Sequence, residues 1–471
     1  MPEEIEGPEH PREKLRRIIE ALRLPAGPDP RFATAAAIAA NLNDFTTAVH
    51  STWKDIQAEV IREIFTLEIL LARVDFATKP KGSADWIRYL CRVWRRVNDA
   101  VAWGMLGQRA MVRQLCQHRV RPTLIESNPQ SVAAVLDEIN KDPLSIALWN
   151  DATTFLDVGD ITARRNGKKE LEFIELKQGD INLAILKLNE TMILHRRAGE
   201  PEKAEIALDA FYEKYGRSGF KQLMRVTKQL MGDIRVMGDF NERLAKKLTT
   251  DRGVDIEIEA SISDTVAKSC DPELTSILRR ADAEGVAFGC IENCMWVYIC
   301  AQTATRQEAI TEFSRRVFDA SPETKPWLIE RTGQDQLKPV TSVDQWAFVP
   351  TSLPIFLRLL EPDDIVSVLL GDLRGRVLLF FDWLRFEPVI GKTGCALMWV
   401  RPKPVGGKNL HELVGRKTPR IGHRSGRGLR LGKMFVSQFF ADGLRPSSIA
   451  QQCAQMLEQM AMGEPQSHDL P

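Results

Sequence analysis

Apolar residues recur at helical spacing through much of the first half of the chain. In "ADWIRYLCRVWRRVNDAVAWGMLGQRAMVRQL", residues 84–115, Trp86, Leu90, Val93, Trp94, Val97 and Val101 fall three or four apart. That spacing predicts one long helix with a buried stripe. Pro122 ends it, and "SVAAVLDEIN" at 131–140 predicts a shorter one. Residues 151–179 switch to a period of two, the strand period. Helical spacing returns at 181–199 and 220–248. Past about residue 250, strands are expected in "GVDIEIEA", "GVAFGCIENCMWVYICA", "QWAFVP", "GRVLLFFDWLRFEPV" and "CALMWVRPK". Helices fall between them near 305–318 and 354–371, and "SSIAQQCAQMLEQMA" closes the chain as a helix. Residues 1–30 are polar and Pro-rich and are expected to be frayed. The map is a helical region at 1–84, an α/β domain at 85–260 and an α+β domain at 261–471.

Within the period-two stretch lies "FLDVGDITARRNGKKELEFIELKQG", residues 155–179. Asn166–Gly167 is a strong hairpin signal, because a type I′ turn needs positive φ at both central positions. With that turn Arg165 opposes Lys168, Asp160 faces Phe173, and Val158 faces Glu175. Asp160, Glu175 and Lys177 then project from one side, with the two carboxylates diagonal neighbours roughly 7–8 Å apart at the backbone. Leu171 and Phe173 share that face, so Glu175 and Lys177 continue a side that starts buried. Two carboxylates so placed can hold one divalent cation, and hard oxygen donors suit Mg²⁺, with Mn²⁺ as substitute. Lys177 can orient the attacking water and offset phosphate charge.

Gly159–Asp160 at a strand start, a hairpin, then Glu175–Leu176–Lys177 followed by a helix resembles the PD-(D/E)xK superfamily of restriction endonuclease-like nucleases. The resemblance covers residues 85–260. It implies an α/β core of restriction endonuclease-like type, a mixed sheet with flanking helices. It also implies metal binding by Asp160 and Glu175, completed by the Leu176 carbonyl, with Lys177 assisting the water. A preceding helix in such proteins often supplies a further acidic residue, and Asp99 in "RRVNDAVAW" takes that position. Pro is absent before Asp160, which departs from the family pattern. A second Glu-x-Lys, Glu323–Thr324–Lys325, sits in "SPETKPW" between two prolines and is expected in a loop.

Composition sets the frame for this chemistry. At 471 residues, two or three domains are expected, and 44% hydrophobic with 27% charged residues fits a globular protein. No apolar run nears the ~18 residues that would suggest a membrane span, and "MPEEIEGPEHPREKLRR" lacks the apolar core of a signal peptide. Eight scattered cysteines without metal-type spacing fit reduced core positions in a cytoplasmic protein. Zinc motifs and a Gly-x-Ser-x-Gly elbow are absent, and "GKTG" at 391–394 has Phe386 where a phosphate loop needs its first glycine. Net charge is only +1, yet residues 401–434 hold ten Lys or Arg against Glu412, so the rest of the chain carries −8. This Gly-rich segment reads as a flexible cationic arm whose natural partner is phosphate, through Arg416, Lys417, Arg420, Arg424, Arg427 and Arg430. Arg164 and Arg165, with Lys168 and Lys169, crowd the hairpin tip and could touch the same backbone.

The combined expectation is a Mg²⁺-dependent phosphodiesterase acting on nucleic acid. DNA is the expected substrate, with RNA open, and endonuclease action in restriction or defence fits the resemblance. Two alternatives stand beside it: a nucleic-acid-binding protein with a nuclease-like fold and no catalysis, and a helical scaffold whose hairpin is structural. A partner protein or a second copy of the chain is left open.

Overall fold

The computed structural model describes residues 9–73, 81–106, 115–116, 122–168, 171–176, 180–217, 219–220, 223–224, 269–300, 305–332, 337, 353–371, 377–400, 418–423, 428–430 and 443–461. The chain forms two compact units, one of residues Pro25–Asp255 and one joining Met1–Leu24 to Ile256–Pro471. Residues 1–84 do not stand as a separate region, because they divide between the two units.

Residues 11–23, within the segment expected to be frayed, form a helix. Helix α1, Pro11–Arg23, has proline at its first turn, and the His10 ring accepts from Arg12 N at 3.3 Å. Its stripe of Leu15, Ile18, Ile19 and Leu22 is buried, and Arg23 donates to the Arg358 carbonyl at 2.9 Å. Proline content argued for fraying, but a proline at a helix's first position loses no hydrogen bond.

The central unit begins with α2, Ala35–Ala40, and is built on α3, Leu42–Ala72, and α4, Lys81–Leu106, which pack along each other. Val60 and Ile64 of α3 and Val93, Val97 and Val101 of α4 fill the interior. Gly104 faces Trp53 so closely that a Cβ there would lie 2.5 Å from the indole. Helix α5, Pro129–Asn140, leads into β1, Ile146–Trp149. β1 pairs with β2, Ile161–Arg164, and β2 with β3, Leu171–Ile174, giving an antiparallel sheet in the order β1-β2-β3.

The free edge of β1 is closed by side chains. Gln57 Nε2 donates to the Ala147 carbonyl and its Oε1 accepts from Trp149 N, both at 2.9 Å. Asn140 Oδ1 accepts from Ala147 N, also at 2.9 Å. An edge strand this buried must find partners for its backbone, and here side chains from α3 and α5 substitute for a fourth strand. After the hairpin, α6, Asp180–Arg197, and α7, residues 201–217, share a small apolar cluster of Ile185, Leu188, Phe211 and Leu223.

In the second unit, α8, Asp271–Glu284, precedes the hairpin of β4, Val286–Ile291, and β5, Met295–Cys300. Helices α9, Arg306–Ala320, α10, Thr324–Thr332, and α11, Pro362–Leu370, follow. The second Glu-x-Lys therefore straddles the start of a helix, not a loop. β6, Val377–Phe381, adds to β5. The strand expected through residue 389 stops there, because Asp382 caps α12, Trp383–Gly391, accepting from Leu384 N and Arg385 N. A second antiparallel sheet holds β7, Cys395–Val400, β8, Thr418–His423, and β9, Gly428–Arg430, and α13, Pro446–Ala461, closes the described chain. The strands expected at 253–260 and 345–350 lie outside the described residues. Every strand pairing among the described residues is antiparallel, so the mixed sheet of the expected core is not found among them. At the β1 edge of the central sheet, Gln57 and Asn140 occupy the backbone groups that a further strand would pair.

The Gln57 contacts make a direct prediction. Gln57→Ala should lower unfolding free energy by roughly 2–3 kcal/mol, since a buried carbonyl and a buried N–H each lose their partner. Gln57→Glu should cost at least as much, because a carboxylate oxygen would face the Ala147 carbonyl. Urea denaturation measures both, and a change below about 0.5 kcal/mol in either would show that β1 does not need this closure.

Candidate active site

The hairpin is reached through residues 150–160, an irregular segment packed inside the unit. Ala152, Phe155, Leu156 and Val158 have 0–1% of their surface exposed, so the backbone between them needs internal partners. Asn150 supplies several. Its amide donates to the Val158 carbonyl at 2.7 Å and to Gly159 at 3.2 Å, and its backbone N donates to the Asp160 carbonyl at 2.9 Å. Thr153 Oγ1 donates to the Asn150 carbonyl at 2.7 Å and accepts from Leu156 N at 3.1 Å. Sequence reasoning missed both residues. The signal was present in "NDATT", because Asn and Thr side chains readily satisfy nearby backbone.

Asp160 enters the sheet behind Gly159, whose φ of +69° favours glycine. A Cβ at Gly159 would lie 3.0 Å from the Ile174 carbonyl oxygen, so β3 passes directly over it. Asp160 N donates to that same carbonyl at 2.8 Å, and the Asp160 carboxylate accepts from Leu176 N. The hairpin register differs from the one the tight turn implied. Arg164 pairs with Leu171 and Ile161 with Ile174. The connection is therefore longer than two residues, although Gly167 does take positive φ, at +73°, and Lys168 N donates to the Arg165 carbonyl at 3.1 Å. The paired register ends at Ile161 and Ile174. Asp160 N binds the carbonyl of Ile174, the residue that already faces Ile161, so the ladder is offset at Asp160 and does not set it opposite Glu175. The Asp160 carboxylate instead reaches Leu176 N, at the peptide that joins Glu175 to Leu176. Lys177 lies outside the described residues.

Asp99 is placed differently from its expected role. It has no exposed surface, and both oxygens are engaged. Oδ1 accepts from Thr154 N at 2.7 Å, and Oδ2 accepts from Arg96 at 2.9 Å and from the Thr154 hydroxyl. Burial raises its pKa against the opposing pull of Arg96 and Thr154. A carboxylate so committed ties α4 to the 150–160 segment and has little capacity left for a metal.

Arg164 does not sit with the exposed tip either. Its Nε is buried without a hydrogen-bond partner, and burial lowers its pKa. It lies close enough to His50 of α3 to act on that ring electrostatically. Burial, with Lys54 and Arg164, pushes the His50 pKa down to about 4. Arg165 does face the tip and donates to Glu172 at 2.6 Å, a carboxylate that Lys168 also contacts. In the basic segment, Arg420 lies in β8 and Arg430 in β9. Arg416, Lys417, Arg424 and Arg427 lie outside the described residues.

Among the described residues no three His, Cys, Asp or Glu side chains gather as a metal-binding group. No helix among them is long and apolar enough to cross a membrane. Trp94 and Trp103 are buried on α4, as core residues. A cleft of about 280 Å³ lies in the other unit, with Arg12, Arg16, Asp282, Asp363 and Ser367 in its walls. Its polar groups already bind one another, Arg16 to Asp363 at 3.4 Å and Ser367 to Asp282 at 3.0 Å. The paired carboxylates of the hairpin are the better candidate on chemistry. No protein-family model, curated protein or solved structure matches the chain.

Two predictions follow from these placements. Asp99→Ala should cost about 3–5 kcal/mol, because it removes the carboxylate paired with the buried Arg96 guanidinium. A variant that kept parental stability but lost metal binding would instead return Asp99 to the ligand set; thermal unfolding and Mn²⁺ titration decide. The second concerns His50, neutral in the fold with a pKa near 4 against 6.5 ordinarily. The unfolded chain binds the extra proton between those values, so this contribution is complete above pH 6.5 and is lost as pH falls toward 4. The parent should lose stability over that window more steeply than His50→Gln. Parallel curves for urea midpoints against pH would contradict the assignment.

Proposed function

We propose that the central unit is a Mg²⁺-dependent phosphodiesterase acting on DNA, with a PD-(D/E)xK-type site at the open end of the β2–β3 hairpin. The observation that carries this reading is the hydrogen bond from Leu176 N to the Asp160 carboxylate, which brings that carboxylate to the peptide joining Glu175 and Leu176. The donor set fits the metal: two carboxylates and the Leu176 carbonyl are hard oxygens, and Mg²⁺ commonly keeps several waters beside one or two carboxylates. When bound, the metal would supply Lewis acidity and a water of lowered pKa. Asp160 and Glu175 would hold the charge, and the Leu176 bond would keep one carboxylate from turning away. Lys177, two residues past Glu175 in the chain, would orient the water and offset charge on the phosphate. Cutting within a DNA strand, in restriction or defence, is the proposed setting.

A second reading is a DNA-binding protein without catalysis. It is favoured by the same hydrogen bond, since an aspartate that secures a strand end has a structural reason to be there.

Asp160→Asn separates the two. The asparagine oxygen can still accept from Leu176 N, so the fold should persist while the charge is gone. Nicking of supercoiled plasmid in Mg²⁺ should fall at least a hundredfold in Asp160→Asn and in Glu175→Gln. Lys177→Ala should slow turnover while leaving Mn²⁺ affinity within about twofold, given its assigned role on water and phosphate. Plasmid nicking at the parental rate in both carboxamide variants would remove the site, and a parent inactive with Mg²⁺ and Mn²⁺ would leave the binding-only reading.

A further inference from the structure

The turn from α5 into β1 gathers basic side chains from two elements of the central unit. Lys54 of α3 donates from Nζ to the Asn140 and Asp142 carbonyls, at 2.9 and 3.1 Å. His50 stands one turn earlier on α3 with 6% of its surface exposed, and the Pro143 carbonyl accepts a hydrogen bond from its ring. The hairpin meets the same turn, because Asn166 N donates to Ser145 Oγ at 2.9 Å. Arg164, opposite Ile146 in the sheet, acts on the His50 ring through its charge.

Two nitrogens of this group are buried without partners, His50 Nδ1 and Arg164 Nε. Most buried polar atoms are hydrogen-bonded, so two left open in one group call for a ligand or a water. Burial lowers the Arg164 pKa, and no carboxylate pairs with Arg164 among the described residues. Asp142, the acid that acts on the His50 ring, has both oxygens engaged in its own turn. Oδ1 accepts from Leu144 N at 3.0 Å and Oδ2 from the Ser145 hydroxyl at 2.7 Å. Lys54 spends two of its three N–H donors on carbonyls and keeps one.

We propose that Arg164, His50 and Lys54 form a site for one tetrahedral oxoanion, of the phosphate or sulfate type, taken up together with a proton on His50. Charge selects an anion. Arg164 and Lys54 against Asp142 leave one positive charge, and a protonated His50 makes two, which a dianion neutralises. Three donor side chains from two elements suit an ion with four oxygens better than a carboxylate with two. The proton is needed because Nδ1 of the neutral ring presents a lone pair that would oppose the anion. Burial, then Lys54 and Arg164, keep the ring neutral down to about pH 4. An anion beside it favours the charged form and draws the proton in. Both open nitrogens are enclosed, so a free ion or a terminal phosphate suits them, whereas a phosphodiester is substituted on two sides. The site uses neither Asp160 nor Glu175, so it stands or falls without the proposed cleavage.

Calorimetry and thermal unfolding of the full chain, in EDTA and at constant ionic strength, test this with sodium sulfate. Its charge stays fixed between about pH 8 and pH 5, so any change comes from the protein. Sulfate should bind at least tenfold more tightly at the lower pH, with uptake of about one proton. Arg164→Met should weaken binding at least tenfold yet unfold no more easily than the parent, since it removes a buried charge that lacks a partner. His50→Gln should still bind, through its amide donor, with the same affinity at both pH values. That comparison decides the matter should Arg164→Met fail to fold. Arg315→Gln, on α9 where the arginine pairs with Glu312, should match the parent. Inorganic phosphate should displace sulfate. A terminally phosphorylated oligonucleotide that displaces it better than its unphosphorylated counterpart would assign the anion to a nucleic-acid end, and equal displacement would leave a free ion. No sulfate binding by the parent, equal binding by Arg164→Met, acetate as tight as sulfate, or an affinity indifferent to pH would each overturn the proposal.

Discussion

A buried loop is the constraint on which the central unit depends. Residues 150–160 carry the chain from β1 to β2 through the interior, without the ladder that would satisfy a strand. Their backbone is paired instead by three side chains, Asn150 and Thr153 from within the loop and Asp99 from α4. Leaving any one such group unmade costs about 1–3 kcal/mol, a large share of the stability of a typical domain. The path of the loop then fixes where Asp160 emerges, because Asn150 N binds the Asp160 carbonyl from one side while Asp160 N binds Ile174 from the other. The position of the candidate site is thus an outcome of how buried polar groups are matched.

That view separates two acidic residues that composition alone treats alike. Asp99 and Asp160 both accept backbone N–H groups, but their surroundings differ. Asp99 has no exposed surface and a cationic partner, Arg96, equally buried. Asp160 stands at the partly open end of the hairpin, with its partner donor on the adjoining strand. A carboxylate oriented by a backbone donor is a suitable start for a metal site, since ligands held by supporting bonds bind with less rearrangement.

Much of this was legible in the sequence, and the misses have physical causes. The long helix from Trp86 to Val101 and the hairpin around Asn166–Gly167 follow from periodicity and turn chemistry. The nearness of Asp160 to the Glu175–Leu176 peptide does not depend on register, because a bond from Leu176 N to the Asp160 carboxylate holds it. Register itself could not be read: Gly167 takes positive φ, but the residues around it form a wider connection than a two-residue turn. Asp99 carried a family expectation onto a position whose burial only the packed structure shows. Expecting residues 11–23 to be frayed and the strand at 375–389 to run on were local errors of one kind. Each ignored a helix cap, proline at the first turn of α1 and Asp382 at the start of α12.

The second unit shows the same logic with a different partner. Asp271 and Arg358 are both buried, with Arg358 Nε donating to Asp271 at 2.9 Å.

 Leu359 N donates to the second Asp271 oxygen, also at 2.9 Å, and Arg23 of α1 reaches the Arg358 carbonyl. One ion pair thereby joins the start of α8, the turn before α11 and the N-terminal helix, which is why residues 1–24 belong with a unit that otherwise begins more than two hundred residues later. Removing either partner of that pair would leave a buried charge uncompensated, at a cost of about 3–5 kcal/mol, so the attachment of α1 to this unit rests on a match made in its interior.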